Sequence, residues 1–255
     1  MEVSLTGMVV LVTGGSQGVG AAIARLAASS GVAGLVLTGR DAARGRAVAD
    51  SLGVPAIFVA ADLGDPEAPA AVAGATLARF GRIDGLVNAA GLTDRGSVLT
   101  GDAGLWDRLF AVNARAPYLL MQAAIRDMVS RGAEGSIVNI LSMNAYCGTP
   151  ELAVYAASKG ALATLTRNAA NAHLADRIRV NGIMMGWAAS PAEDRMQADT
   201  LGKGADWATH VAAGMPLKRL LSVDEVARLA VFLLSDASGL MTGALIDMEQ
   251  KVVGA

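Results

Sequence analysis

Met8-Val9-Val10-Leu11-Val12 runs directly into Thr13-Gly14-Gly15-Ser16-Gln17-Gly18-Val19-Gly20, and then into the alanine-rich Ala21-Ala22-Ile23-Ala24. Five consecutive apolar residues, rather than an alternating pattern, describe a strand covered on both faces, which is the habit of a parallel sheet. The glycines that follow let the chain turn tightly. They also let an anion approach the N-terminus of the next helix, where unpaired N–H groups and the helix dipole favour negative charge. Gly14 and Gly18 are separated by three residues, so the pattern departs from the usual G-x-G-x-x-G. Its place between a strand and a helix, more than the glycines alone, points to a nucleotide pyrophosphate.

Outward from this stretch, further apolar runs recur at Gly34–Thr38, Ala56–Ala60, Ile83–Asn88, Ser136–Leu141, Ile178–Ile183 and Ala244–Asp247. Helix-like stretches separate them: Val19–Ser30, Ala42–Leu52, Glu67–Phe80, Trp106–Ser130, Ala153–Ala172 and Val223–Leu234. Asp65 before Pro66 and Ser222 with Glu225 three residues on read as helix starts. Strands alternating with helices predict an α/β fold, a doubly wound parallel sheet of about seven strands with helices on both faces. No linker or repeat divides the chain, so residues 1–255 read as one domain. Residues 187–214 break the rhythm with mixed charges, Trp187 and Trp207, and read as a lid over a site.

Composition narrows the function classes. Apolar residues make up 53% and charged residues 17%, against averages of roughly 45–50% and about 25%, which excludes disorder. The formal net charge of −2 favours neither nucleic acid nor an anionic membrane as partner. Despite a mean hydropathy of +0.44, the uncharged stretch Met8–Ala24 is interrupted by Thr13, Ser16, Gln17 and four glycines and cannot span a bilayer as a helix. One cysteine, Cys147, forms no internal disulfide, and the N-terminus shows no signal-peptide pattern. A cytoplasmic protein is expected. Cys147 lies five residues beyond Ser142, where a buried packing thiol is favoured over a pocket-lining one. His173 and His210 lie in no ligand-spaced cluster, so no metal site is expected.

The spacing T-G-x-x-x-G-x-G resembles that of the short-chain dehydrogenase/reductase family, and further motifs follow in order. These are Asn88-Ala89-Ala90-Gly91 after the fourth strand, Asn113 in the long middle helix, and Ser142 thirteen residues before Tyr155-x-x-x-Lys159. The resemblance spans essentially the whole chain. It implies a Rossmann-like fold, an NAD(P) cofactor and a catalytic tetrad of Asn113, Ser142, Tyr155 and Lys159. It also implies cofactor contacts from Gly14, Ser16, Gln17, Gly18, Val19 and Gly20, from Asp62 and Leu63 at the adenine, and from Asn88, Ala89, Ala90 and Gly91. Tyr155, Lys159, Gly186, Ala188 and Ser190 complete that set. Several positions depart from the family pattern, including the common Asp-Gly-Gly finish, which here reads Asp247-Met248-Glu249. Ala89 replaces a second Asn, Met185 replaces the proline before Gly186, and Ser190 stands where a threonine usually holds the nicotinamide amide.

Tyr155 and Lys159, four apart on a helix, share one face. A nearby ammonium is expected to pull the phenol down from about 10, making it an acid for a developing alkoxide or a base for an alcohol. By resemblance, Lys159 also binds the nicotinamide ribose and Asn113 supports a water relay to it. The leading reading is an oxidoreductase interconverting a secondary alcohol and a ketone, on a small substrate such as a sugar or polyol. A 3-oxoacyl thioester reductase and a catalytically silent cofactor sensor are the alternatives. Arg40, directly after Gly39 at the end of the second strand, favours NADP over NAD, because a guanidinium pairs with the 2′-phosphate. Asp41, free to neutralise Arg40 or reach the ribose, and Gln17, which stands where a basic residue is common, pull towards NAD. The apolar middle helices, with the family's habit, imply a homotetramer.

Overall fold

Each Val/Ile/Leu run becomes a strand of one parallel sheet in the computed structural model, which describes residues 3–252. The strands are β1 (Val9–Thr13), β2 (Gly34–Gly39), β3 (Ala56–Ala60), β4 (Gly85–Asn88), β5 (Gly135–Ile140), β6 (Ile178–Met185) and β7 (Leu245–Met248). They pair in the order β3-β2-β1-β4-β5-β6-β7, with Leu11 of β1 opposite Val36 of β2 and Leu86 of β4. The strand order reverses between β1 and β4, and in such sheets the crevice beyond the strand C-termini at that switch receives the ligand. Thr13 and Asn88 end the two strands that flank it.

Helices cover both faces: α1 (Gly18–Ser29), α2 (Ala42–Asp50), α3 (Ala68–Phe80), α4 (Ala103–Phe110), α5 (Ala116–Arg131), α6 (Ala153–Ala172), α7 (Pro191–Asp194), α8 (Trp207–Gly214) and α9 (Val223–Leu234). One core layer packs Ile23 of α1 and Val226 and Leu233 of α9 against Val10, Val12 and Leu37. The other packs Val72 of α3, Leu120 of α5 and Leu162 of α6 against Leu11, Val36 and Leu86. Neighbouring strand residues thus divide between two cores, which is why the runs are continuous rather than alternating. No helix among the described residues is long and apolar enough to cross a membrane.

Two local expectations need correction. The single helix expected over 106–130 is two, α4 and α5, joined by a π-helical turn at Ala111–Arg115, a widening that tends to mark functional positions. Asp65 does not cap α3. Its carboxylate accepts from Glu67 N at 2.9 Å in the turn before the helix, and α3 begins after Glu67 without a side-chain cap. Ser222 and Glu225 do form a capping box at α9. At the opposite end of the sheet, buried Asp84 accepts from Val9 N (2.8 Å) and pairs with Arg131 (3.2 Å). That charge cluster ties strand starts together, remote from the crevice.

Candidate active site

A cleft of about 1050 Å³ opens along the strand C-termini, from the glycine loop to the 187–214 segment. The loop that starts it is held by close backbone approach. Gly14 has φ +67, and a Cβ there would lie 3.0 Å from the backbone of Ala90; at Gly20 it would lie 2.4 Å from Gly14 O. Side chains are excluded where the helix N-terminus faces the cleft, which is the space a pyrophosphate needs. Thr13 secures the opposite wall. Its Oγ1 accepts from the N–H groups of Ala89 and Ala90, both at 3.0 Å. Thr13 therefore holds the strand-four segment in place, a role the sequence reading did not assign it although it begins the glycine motif.

All the cofactor and catalytic residues named from the sequence line this cleft except Asn88 and Asn113. Asn88 is buried within the sheet, where its Nδ2 donates to Asn139 Oδ1 at 2.8 Å and Asn139 in turn donates to Thr166 at 2.9 Å. The two residues are register partners on β4 and β5 and turn to each other, which leaves the backbone of Asn88 for the expected cofactor contact. Asn113 sits in the π-helical turn. Its Oδ1 accepts from Leu92 N (2.9 Å), while Nδ2 donates to Leu92 O (2.9 Å) and Ser158 Oγ (3.0 Å). Ser158 donates to Tyr155 O at 2.7 Å. Asn113 thus fastens the loop after β4 to the helix carrying Tyr155, and its side chain positions rather than faces the cleft.

Ser142 follows β5 and lines the cleft together with Tyr155, both of them buried. Ser142 Oγ accepts from Asn144 N at 3.2 Å. Lys159 reaches the same strand end, donating from Nζ to Ile140 O at 2.7 Å. Burial dominates both titrations. It raises the Tyr155 phenol above its ordinary value, against the Ser142 hydrogen bond that favours the phenolate, with Glu193 raising it further and Arg95 lowering it. It lowers the Lys159 ammonium to about 8. The expected lowering of Tyr155 by Lys159 is overturned: desolvation of the phenolate dominates, and Lys159, whose Nζ donates to a carbonyl, is not among the groups that act on the phenol.

The 187–214 segment folds over this end with its own polar network. Glu193 Oε1 accepts from Trp187 Nε1 (2.9 Å) and Gln197 Nε2 (2.6 Å), and Gln197 Oε1 accepts from Lys203 (2.7 Å). Ser190 caps α7, accepting from Glu193 N at 3.2 Å. Cys147 is exposed and not among the lining residues, so neither the packing nor the pocket reading of it holds. At the adenine end, Gln17 Oε1 accepts from Arg44 and, at 3.2 Å, from Arg195. The Asp41 carboxylate is committed elsewhere: it caps α2 by accepting from Arg44 N (2.9 Å) and pairs with the Arg44 guanidinium (3.2 Å).

A glycine cradle and a buried Ser-Tyr-Lys group on one parallel sheet are accompanied by a family match. The model described as enoyl-(acyl carrier protein) reductase covers residues 14–250. The chain belongs to the short-chain dehydrogenase/reductase family. It is 35% identical over 245 residues to cis-4-hydroxycyclohexanecarboxylate dehydrogenase of Sinomonas cyclohexanicum, covering 94% of each chain. Its fold superposes on L-sorbose reductase from Gluconobacter frateurii, solved with NADPH and L-sorbose, with a TM-score of 0.93 and 30% identity over 100% of both chains. A 3-ketoacyl-(acyl-carrier-protein) reductase from Brucella melitensis, solved with NADH, gives a TM-score of 0.86 at 30% identity, covering 97% of this chain and 98% of that one. This family member is a nicotinamide-dependent oxidoreductase acting on a secondary alcohol or its ketone.

Proposed function

We propose that the protein uses NADP to interconvert a small hydroxylated alcohol and its ketone, with Tyr155 as the proton-transferring residue. The observation that carries this reading is the cleft itself, which gathers buried Ser142, Tyr155 and Lys159 beside the glycine cradle. The nicotinamide supplies or accepts the hydride when bound. Gly14, Gly18 and Gly20 leave room for its pyrophosphate, Asp62 and Leu63 line the adenine end, and Ala90, Gly91, Gly186 and Ala188 line the path towards Tyr155. In reduction, the phenol gives its proton to the ketone oxygen while Ser142 shares a hydrogen bond with that oxygen. Burial keeps the phenol protonated, which suits a donor; in oxidation the phenolate must form, so that direction speeds up with pH. Lys159 anchors the same helix to the strand end through Ile140 O at 2.7 Å, and Asn113 sets the helix that carries both.

Three arginines support NADP. Arg40 lines the cleft, and Arg44 and Arg195 converge on Gln17, so guanidinium groups border the ribose end where a 2′-phosphate would pair. Asp41 pairs with Arg44 at 3.2 Å and not with Arg40. A sugar, polyol or hydroxy acid is the substrate class this reading favours, on the likeness to enzymes named for L-sorbose and a hydroxycyclohexanecarboxylate. The 187–214 segment acts as the lid of a single catalytic domain in a cytoplasmic homotetramer. The test is a panel of sugars, polyols, hydroxy acids and 3-oxoacyl thioesters, followed by nicotinamide absorbance with each coenzyme. Turnover of thioesters alone would replace this reading with the fatty-acyl one, and turnover of nothing would favour the silent sensor.

A further inference from the structure

Arg95 lies in the loop after β4, and nothing in the sequence motifs assigns it a role. The loop places it firmly. Gly96 N donates to Glu151 O at 2.7 Å, and a Cβ on Gly96 would lie 2.1 Å from Leu105 of α4. Asp94 turns away to pair with Arg108 at 3.6 Å, while Arg95 turns into the cleft, its side chain three-quarters buried at 24% exposure. Its guanidinium makes one hydrogen bond among the described residues, from Nη1 to Thr93 O at 2.6 Å. Glu193 stands 3.9 Å from Nη2, beyond hydrogen-bond reach, and its Oε1 already accepts from Trp187 and Gln197. Nε and Nη2 are therefore unspent donors, charged, on the wall that also carries Tyr155.

We propose that Arg95 is a substrate-binding residue that pairs with a carboxylate of the substrate, so that the enzyme acts on hydroxy acids and their oxo acids. The proposal rests on the reading of Tyr155 as the residue at the reacting oxygen. A guanidinium presents its donors as a planar fork that matches a carboxylate in two parallel bonds. One arginine opposite a carboxylate side chain suits a monoanion better than a doubly charged phosphate, which Glu193 would repel. Lys203 is drawn instead towards Gln197, at 2.7 Å, and the face of the Trp187 ring, at 6.0 Å.

The test pairs acids with their neutral amides: 3-hydroxybutyrate, 4-hydroxycyclohexanecarboxylate and gluconate against the corresponding carboxamides. Binding to the coenzyme-saturated enzyme is measured by calorimetry and turnover by nicotinamide absorbance. Wild type should bind at least one acid about tenfold or more tighter than its amide, the expected worth of a charge-assisted pair. Arg95→Gln should reduce that preference to less than about twofold with amide binding kept, and Arg95→Lys should retain part of it. Equal binding of acids and amides by wild type, or a preference that survives Arg95→Gln, overturns the proposal. Arg95-dependent acid binding without turnover of any compound upholds the anion site and tells against Tyr155 as the residue at the reacting oxygen instead. Turnover without acid preference does the reverse.

Discussion

The two ends of the cleft are built by different means. At the phosphate end, the constraint is backbone: Gly14 and Gly20 meet main-chain atoms where any Cβ would collide, and Thr13 holds Ala89 and Ala90 by their N–H groups. At the substrate end, the constraint is a web of side chains. Glu193 gathers Trp187 and Gln197, with Arg95 nearby, from segments about a hundred residues apart. A backbone constraint permits few residue types at fixed spacing, whereas many side-chain combinations build an equivalent web. The first end defines the family and the second defines the substrate.

The largest expected effect lies where the two ends meet. Tyr155→Phe should lower turnover by roughly 10²–10⁴-fold, the usual worth of a positioned acid or base, while coenzyme affinity by fluorescence titration stays within a factor of about two. Turnover near that of wild type would break the assignment of chemistry to this junction.

The next effect comes from burying Lys159. In the folded protein its ammonium loses its proton near pH 8, whereas in the unfolded chain it keeps it to 10.5. Between these values the unfolded state binds more protons, so this group makes stability rise with pH, by at most about 1.4 kcal/mol per pH unit. Tyr155, raised by burial, works in the opposite sense only above about pH 10. Urea unfolding of wild type and Lys159→Met from pH 7 to 10 should show the wild type gaining relative to the variant as pH rises. A flat difference would mean that Lys159 is solvated, and the junction wetter than its packing suggests.

A third test separates the coenzyme ends of the two regions. Arg40→Ala and Arg44→Ala should each shift the NADP-to-NAD ratio of catalytic efficiencies towards NAD by about 10-fold to 100-fold, as charged hydrogen bonds are worth. Arg195→Ala should shift it less, because Arg195 reaches Gln17 from the 187–214 segment. A ratio unmoved in all three would leave these arginines as solvated charges.

The sheet was legible because its continuous Val/Ile/Leu runs have one physical explanation, strands covered on both faces. The crevice was legible because Thr13, the glycines, Ser142 and the Tyr155–Lys159 pair recur at spacings fixed by strand ends and helix turns. The break at Ala111–Arg115 was not legible, since a π-helical turn costs one hydrogen-bond step and leaves composition unchanged. Asn88 and Asn113 fit the motif, but their side chains find partners in Asn139, Leu92 and Ser158, pairings that only tertiary register determines. Arg95 and Arg44 carried no signal because their significance comes from what stands across the cleft. Cys147 was misplaced for a related reason: a position five residues beyond Ser142 does not say which way the loop between them turns.

The smallest effect tests whether the two ends are mechanically separate. Helix α9 packs on α1 behind the glycine loop, yet its N-terminus adjoins the substrate end, where Leu221 N donates to Trp187 O at 3.0 Å and Ala189 N donates to Leu221 O at 3.1 Å. The capping box sits one residue further on. Ser222 Oγ accepts from Glu225 N at 3.2 Å, and Glu225 is held by Ser222 N at 2.9 Å and by Arg219 at 2.7 Å, contacts that lower its carboxyl to about 2. Ser222→Ala removes the cap acceptor but leaves the Glu225 contacts, so the loss should be about 1 kcal/mol, a fall of about 2–4 °C in Tm for a chain this size. Loosening at residue 222 reaches the 187–189 segment through two backbone bonds, whereas α1 is held along the buried length of α9. The KM for the alcohol should therefore rise by a few fold while coenzyme affinity stays put. If coenzyme affinity falls in step with KM, α9 transmits strain to both ends and the division between them dissolves.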